Sequence, residues 1–167
     1  MKRMMKNNFW LFLALTCVLV WCCAVLFILA SVLDVQAGNY DPTEEEIAEE
    51  EYYDSLELLA VCVEAEAGNQ SLEGKRMVVD VILNRVDDPG DEWPDTITGV
   101  ITQKYAFSSY WDGGMDKVWS PSEETFEAVR MELESRSWPG IYYFTAGRYS
   151  EYGTPWKKVG DHYFSTK

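Results

Sequence analysis

The sequence predicts an α+β domain that is helical first and ends in a small C-terminal β-hairpin, preceded by one N-terminal transmembrane helix. Three observations lead to this expectation. An apolar run without any charge lies near the N-terminus. Apolar residues at helical spacing recur through the middle of the chain, which is typical of helices packed on a core. Two aromatic segments near the C-terminus are typical of strands.

The apolar run covers residues 9–33 and is long enough to cross a bilayer, for which about 20 apolar residues suffice. Lys2, Arg3 and Lys6 precede it, so the positive-inside rule places residues 1–8 in the cytoplasm. The alternative is a signal peptide cleaved after Ala37, where small residues resemble a cleavage site. Both alternatives place the rest of the chain outside the cytoplasm, as a single-pass protein of the cell membrane or as a secreted one.

The formal net charge of the chain is −14, and all 28 acidic residues follow the apolar run. A nucleic-acid partner is therefore not expected, because binding to phosphates is driven by Lys and Arg. Solubility alone would account for most of these charges. Nothing in the composition predicts an oligomeric state.

Cysteine and histidine are too few for metal chemistry in the exported part, so no metal and no cofactor are expected. Cys17, Cys22 and Cys23 lie in the apolar run, which leaves Cys62 and His162 where a structural zinc site needs four ligands. A nucleophilic pair of these two residues is formally conceivable, but Cys62 lies in a helical Leu/Val run and is expected to be inert core. Phosphate-binding loops and the G-x-S-x-G motif are absent from the sequence.

Residues 34–53 are predicted to form an acidic stalk, extended or weakly helical, because they can bury little apolar area. The folded domain is expected over 54–167. Its first helix is predicted to begin at Asp54, which forms a capping box with Glu57, and to end before Gly68.

Local signals predict the other elements of the domain. They are a second helix from Ser71 to Val86, a short helix from Asp95 to Thr102, a long aromatic loop over 105–120, a further helix starting at Ser120 and Pro121, and strands over 141–147 and 159–165. Helices followed by strands give the α+β class.

Three glutamates fall within ten residues at the end of the first helix and the start of the second: Glu64, Glu66 and Glu73. Small residues flank Glu66, which leaves room for a large substrate. The helix dipole at a C-terminal end disfavours a negative charge and so favours the protonated form that a general acid needs. Glu64 is explained equally well as a surface charge, and Glu73 as a charge that stabilises a helix N-terminus.

The aromatic loop contains Tyr110 and Trp111 beside several glycines. Aromatic faces can stack on the apolar faces of sugar rings, and aromatics in a Gly-rich loop are harder to explain as core than those on strands. Tyr142 and Phe144 are expected to be core, because bulky rings dominate the interior of a small domain.

Three blocks of the sequence resemble one known family. LLAVCVEAEAGNQSLEGKRMVVDVILNRV (58–86) resembles the A-E-A-R-G-E-x-x-E-G and L-N-R-V segments of the SleB-like cell wall hydrolases, the spore cortex-lytic family. DTITGVITQKYAFSSYWDG resembles I-x-x-V-I-x-Q-x-x-Q-F-S, and VGDHYFS resembles I-G-N-H-x-F. The matching residues are Ala65, Glu66, Ala67, Glu73, Gly74, Leu83, Asn84, Arg85, Val86, Ile97, Val100, Ile101, Gln103, Phe107, Ser108, Gly160, His162 and Phe164.

The resemblance implies a lysozyme-like domain that cuts the glycan strands of peptidoglycan, as a lytic transglycosylase or a glucosaminidase. Its catalytic glutamate falls on Glu66. The chain departs from the family pattern at Gly68, Asn69 and Gln70, where Arg-Gly-Glu is usual, and at Ala106, where glutamine is usual. These departures leave the substrate preference and the level of activity open, as well as the choice between vegetative wall and spore cortex.

Roles follow for the candidate residues. Glu66 is the expected general acid and base, and Glu73 or Asp112 would be the second carboxylate if the reaction is hydrolytic. The predicted substrate-binding residues are Gln103, Phe107, Ser108, Tyr110 and Trp111, and the predicted supporting residues are Asn84, Arg85 and His162. One alternative is a membrane-tethered protein that binds peptidoglycan without cutting it. Another is an adaptor whose acidic segment 41–54 recruits a basic partner.

Overall fold

The computed structural model describes residues 21–29 and 41–167. The chain divides into two compact units, Met1–Ile47 and Ala48–Lys167. In the first unit, residues 21–29 are helical and exposed. The rest of the predicted span 9–33 lies outside the described residues, as do residues 1–8 and 34–40. Among the helices that are described, none combines the length and the apolar character needed to span a bilayer.

The described residues from 41 onward form helices first and strands last, which confirms the α+β class. The elements are α1 (Glu44–Ala67), α2 (Leu72–Val86), α3 (Ile97–Thr102), α4 (Ser108–Trp111), a 3-10 turn (Met115–Lys117), α5 (Glu123–Glu134), β1 (Ile141–Ala146), β2 (Thr154–Val159) and β3 (His162–Thr166).

Helix α1 begins at Glu44, so the prediction of a start at Asp54 was wrong. The capping box is formed by Thr43 and Glu46 instead. The backbone N–H of Glu46 donates to Thr43 Oγ1 over 3.2 Å, and the N–H of Thr43 donates to Glu46 Oε2 over 2.9 Å. Three glutamates in the first turn are favoured there by the helix dipole. The helix ends at Ala67, as predicted.

Helix α2 runs through the middle of the domain and is buried along most of its length. Ser71 Oγ accepts the N–H of Gly74 over 3.4 Å, and the helix ends at Val86, so both predicted ends are confirmed. Met77 and Ile82 are fully buried in the core that α2 shares with α1, α5 and the sheet. Burial of one such side chain contributes about 1.5–3 kcal/mol, so α2 supplies much of the stability of a domain without disulfides.

The strands form a three-stranded antiparallel sheet in the order β1–β3–β2, so the predicted two-stranded hairpin was incomplete. Strand β3 lies in the centre and pairs with both neighbours. The missed strand, β2, contains Pro155 and two lysines. Proline is tolerated on an edge strand because the outer side of that strand makes no ladder hydrogen bonds. The register shifts between Pro155 and Lys157.

Helix α5 begins at Glu123 with Ser122 as its cap, slightly later than predicted. Of the apolar residues expected on its inner side, Val129 is buried, whereas Phe126 and Leu133 are partly exposed. They line a groove of about 750 Å³ together with residues of α1 that include Tyr52. The predicted apolar face of α5 is therefore only partly covered.

Candidate active site

Glu66 lies in the last turn of α1 and is half-buried. Its Oε1 accepts the hydroxyl of Ser109 over 2.5 Å and the backbone N–H of Ser109 over 3.3 Å. Ser109 is buried and belongs to α4, within the segment that was expected to be one long loop. Sequence reasoning missed Ser109, although it directly follows Phe107 and Ser108 of the family motif.

His162 begins β3 and is 6% exposed. Burial lowers the pKa of its imidazole below the usual 6.5, while the negative charges of Glu66 and Asp161 act in the opposite direction. The ring packs against Phe144 with centroids 5.1 Å apart. Its Nδ1 atom is buried and has no hydrogen-bond partner among the described residues. A neutral imidazole is therefore favoured next to the candidate acid.

Cys62 precedes Glu66 by one helical turn and is fully buried. Burial, followed by the charge of Glu66, raises the pKa of its thiol far above the usual value. The thiolate is the nucleophilic form of cysteine, so this environment opposes a Cys62–His162 nucleophile pair.

Asn84 and Arg85 join α2 to β1 and the segment before it. Asn84 Nδ2 donates to the carbonyl oxygens of Trp138 and Ile141 over 2.8 and 2.9 Å. Arg85 Nε donates to the carbonyl oxygen of Tyr142 over 2.9 Å. These contacts fix the sheet that carries His162.

The guanidinium of Arg85 lies among aromatic rings, 5.4 Å from the ring centre of Phe107 and 5.8 Å from that of Trp93. Burial lowers its pKa to about 10, with Tyr143 and Glu92 acting in the opposite direction. The side chain thus stays charged at neutral pH. Cations over aromatic faces are stabilised by the ring quadrupole, so Arg85 organises the aromatic cluster.

The expectation that Phe107 contacts the substrate does not fit its position. The side chain is 1% exposed and packs between Arg85 and Phe144, whose ring centre is 6.1 Å away. Phe107 is therefore part of the core that supports the site. Gln103 instead holds a loop, because its Nε2 donates to the Glu92 carbonyl over 3.1 Å. Ser108 is exposed at the start of α4.

Tyr110 and Trp111 are exposed on α4, the helix that also carries Ser109. Their rings meet edge to face at 5.3 Å. Together with Leu58 and Val61 of α1 they line a groove of about 500 Å³. An aromatic surface therefore lies on the two helices that meet at Glu66, where a sugar chain could be held.

The two candidate second carboxylates are engaged elsewhere. Glu73 Oε1 lies 2.6 Å from Lys157 Nζ in an exposed ion pair. Asp112 Oδ1 accepts the N–H of Gly114 over 2.9 Å. Neither makes a hydrogen bond with Glu66 in the part of the chain that the structure describes. Within that part, no group of three or more metal-ligating side chains could hold a metal ion.

Glu64 is a structural residue and not a simple surface charge. Its Oε2 accepts the N–H and the hydroxyl of Ser122 over 3.1 and 2.9 Å, and also the hydroxyl of Thr125. Burial acts to raise the pKa of Glu64, but the hydrogen bonds from Thr125 and Ser122 and the charge of Lys75 lower it overall. Glu64 thus fixes the N-terminal end of α5 to α1.

Gln70 ties the loop after α1 to the turn before β3. Its Oε1 accepts the backbone N–H of Asp161 over 3.0 Å, and its Nε2 donates to Asp161 Oδ2 over 3.2 Å. Gly160 in this turn has φ +55°, and a Cβ there would collide with Gln70 Oε1. Gln70, one of the departures from the family pattern, therefore has a defined structural partner.

The fold and the site together define an α+β domain in which Glu66, at the end of the first helix, is held by Ser109 of the helix that carries Tyr110 and Trp111. The family model described as Cell Wall Hydrolase matches residues 69–165, which is more than half of the chain. This protein belongs to the cell wall hydrolase family, which confirms the predicted resemblance to SleB-like proteins. Glu66 lies three residues before the matched range, so its role depends on the geometry of the site.

Named relatives support the same assignment. The chain is 32% identical over 117 residues to a spore cortex-lytic enzyme of Oceanobacillus iheyensis, covering 65% of this chain and 40% of the relative. It is 33% identical over 118 residues to the spore cortex-lytic enzyme of Bacillus subtilis, covering 65% and 36%. The chain thus spans about two fifths or less of the length of these relatives.

Two solved structures share the fold. The catalytic domain of the Bacillus cereus SleB protein matches with a TM-score of 0.58 and 26% identity, covering 68% of this chain and 91% of that domain. The catalytic domain of the germination-specific lytic transglycosylase SleB from Bacillus anthracis matches with a TM-score of 0.56 and 25% identity, covering 67% and 93%. The α+β domain of this chain therefore shares the fold of these SleB catalytic domains.

Proposed function

We propose that this protein cleaves the glycan strands of peptidoglycan, with Glu66 as the general acid and then the base. The observation that carries the proposal is the half-buried Glu66 carboxyl at the end of α1, held by Ser109 of α4, the helix whose Tyr110 and Trp111 line an exposed groove. Family membership supports the class of substrate, and one structural relative is described as a lytic transglycosylase.

The hydrogen bonds at Glu66 favour one oxygen as the proton carrier. Both bonds from Ser109 fall on Oε1, and Oε2 accepts none from the described residues. In a protonated carboxyl the carbonyl oxygen is the better acceptor, so the proton resides on Oε2. Ser109 thereby holds the carboxyl through Oε1 without competing for the proton.

The reaction starts when Glu66 donates this proton to the oxygen between two sugars. The glycosidic bond breaks, the leaving sugar keeps the proton as a hydroxyl, and the other ring develops oxocarbenium character. The 6-hydroxyl of that same ring then attacks its anomeric carbon and gives its proton to the Glu66 carboxylate. The product has a 1,6-anhydro end, and Glu66 is protonated again.

This route needs no second carboxylate, which agrees with the pairing of Glu73 to Lys157 and of Asp112 to a backbone N–H. A hydrolytic route would need one of these carboxylates at about 5–5.5 Å from Glu66 for retention or about 6.5–9.5 Å for inversion. Their present partners weigh against it, and the lytic transglycosylase is the favoured function.

Membrane tethering is part of the proposal and is supported by sequence alone. The uncharged run 9–33 follows basic residues, an arrangement that would hold the domain on the outer side of the cell membrane. A tether of this kind would keep the enzyme next to the wall. If Ala37 is a cleavage site, the domain is secreted instead.

Mass spectrometry of released fragments tests the proposal. The full chain in detergent is incubated with purified vegetative peptidoglycan and with spore cortex, together with Glu73→Gln and Asp112→Asn. We expect anhydro-ended fragments from all three proteins at similar rates, and the preferred substrate identifies the wall type. Reducing ends that disappear in one of the variants would establish hydrolysis. Binding without any fragments would favour the non-catalytic protein and contradict the proposal.

A further inference from the structure

One side chain connects the loop that follows Glu66 to the turn that precedes β3. Gln70 follows Glu66 by four residues and is 8% exposed. It makes two hydrogen bonds to Asp161, one to the backbone N–H and one to the carboxylate, over 3.0 and 3.2 Å. Its Nε2 also donates to Asn69 Oδ1 over 2.8 Å. The amide is thus fully ordered by its surroundings.

The residue that follows Asp161 is His162, the single histidine of the sequence. His162 is buried, lies opposite Ala146 and Val159 in the sheet, and interacts electrostatically with Glu66. Glu66 and His162 are therefore connected through the loop after α1, the side chain of Gln70 and the turn that contains Asp161.

We propose that Gln70 is a positioning residue: through its paired hydrogen bonds to Asp161 it fixes the distance between the His162 imidazole and the Glu66 carboxyl. The catalytic consequence of this inference rests on the proposed function. The structural part stands without it, since the two hydrogen bonds between Gln70 and Asp161, here called the clamp, are present whatever the substrate is.

Glutamine suits the clamp because it both accepts and donates. Glutamate at position 70 would accept from the Asp161 N–H but would face the Asp161 carboxylate with a second negative charge. Asparagine at position 161 would remove that conflict, since its amide can donate to a glutamate. The double exchange Gln70→Glu with Asp161→Asn should therefore rebuild the clamp.

A purely structural role for Gln70 would stabilise the turn without coupling Glu66 to His162. The coupling can be measured, because a single histidine gives one imidazole signal in an NMR titration. Glu66 and Asp161 are the charged groups that act on His162, so removal of the Glu66 charge by Glu66→Gln should lower the His162 pKa. The size of that lowering, which the titration measures, is the coupling.

The coupling is measured in the full chain with four backgrounds: wild type, Gln70→Glu, Asp161→Asn and the double variant. Because each background is compared with and without Glu66→Gln, direct charge effects at positions 70 and 161 cancel. We expect the full coupling in wild type and in Asp161→Asn, whose amide oxygen still accepts from Gln70. We expect less than half of it in Gln70→Glu, and recovery in the double variant.

Kinetics supply the second readout. Gln70→Glu should lower kcat about tenfold or more with KM within twofold, because a displacement of about 1 Å at a catalytic group can cost up to about 100-fold. The double variant should restore kcat to within about threefold. If Gln70→Glu does not fold, Gln70→Met, which keeps the length and removes the hydrogen bonds, takes its place.

Equal coupling in all four backgrounds would overturn the inference, as would a kcat loss of Gln70→Glu that Asp161→Asn fails to rescue. Where Gln70→Met is used, coupling equal to that of the wild type would overturn it. If the wild type releases no fragments from any peptidoglycan, the proposed function fails, yet the titration still decides whether Gln70 positions His162. The two failures are therefore distinguishable.

Discussion

Glu64 and Glu66 lie two residues apart near the end of α1, yet their carboxylates have different surroundings. Successive helical residues are rotated by about 100°, so the two side chains leave the helix on nearly opposite sides. Glu64 meets the N-terminal end of α5, where Ser122 and Thr125 donate three hydrogen bonds to it. Glu66 meets α4 and the sheet, where Ser109 is its hydrogen-bond donor.

The difference separates a carboxylate that builds the fold from one that is available for chemistry. The hydrogen bonds and the nearby Lys75 keep the pKa of Glu64 below its usual value, so this residue is ionised at neutral pH and cannot serve as an acid. Glu66 has no cationic partner among the described residues and lies beside buried, neutral groups. Of these two glutamates in one helical turn, Glu64 is a structural residue and Glu66 is the one proposed as the acid.

The largest expected effect on stability comes from removal of the structural glutamate. Glu64→Ala leaves Ser122 and Thr125 without their acceptor at the start of α5, which should lower the free energy of unfolding by about 3 kcal/mol. Urea unfolding of the full chain measures the loss. Glu73→Ala is the matched control, because its exposed ion pair with Lys157 should contribute less than about 1 kcal/mol. Equal losses would contradict the distinction.

A second carboxyl, that of Asp80, is buried with fewer hydrogen-bond donors than Glu64 has. Asp80 accepts the N–H groups of Ser137 and Trp138, and its Oδ1 has no hydrogen-bond donor among the described residues. Burial, opposed by the Trp138 hydrogen bond and reinforced by the neighbouring Glu132, raises the pKa of Asp80 to about 7. Asp80 thus differs from Glu64, whose pKa is lowered.

The raised pKa gives a pH dependence of stability with a defined sign. The unfolded aspartate has a pKa of about 3.9, so between about pH 4 and pH 7 the folded protein binds a proton that the unfolded chain releases. The stabilisation is complete below pH 4 and is lost as the pH rises to about 7. Asp80→Asn should remove this slope, gaining about 3 kcal/mol relative to wild type between pH 4.5 and pH 8 in urea unfolding. A constant difference would refute the assignment.

The smallest expected effect concerns the groove lined by Tyr110 and Trp111. Trp111 is 58% exposed, so Trp111→Ala should leave the melting temperature nearly unchanged. It should raise the apparent KM for glycan about three- to tenfold through the loss of stacking, with little change in kcat. Trp119→Ala is the control, because Trp119 is 100% exposed and does not line this groove. A loss of kcat without a change in KM would place Trp111 elsewhere in the mechanism.

Elements with strong local signals could be predicted from the sequence. Helix α2 has a serine cap and an apolar pattern, and both of its ends were found. The start of α1 was missed, because the capping box of Thr43 and Glu46 lies in an acidic segment without apolar periodicity. Strand β2 was missed, because Pro155 and its lysines suit an edge strand and hide the strand pattern.

Glu66 could be proposed as the catalytic residue from small flanking residues and a family motif, whereas its partners could not be predicted. Ser109 reaches Glu66 from 43 residues away, and Gln70 reaches Asp161 across 91 residues. Contacts at such separations leave no local pattern in one sequence. Phe107 shows the converse, since a motif residue proved to be core and not a contact surface.

The central claim is that Glu66, and not Glu64, carries the proton. The direct measurement is the initial rate at which new glycan ends are released from purified peptidoglycan by wild type, Glu66→Gln and Glu64→Gln, each corrected for its folded fraction. We predict a loss of at least about 100-fold for Glu66→Gln with unchanged thermal stability. Glu64→Gln should stay within about threefold of wild type. Full activity of Glu66→Gln would contradict the account.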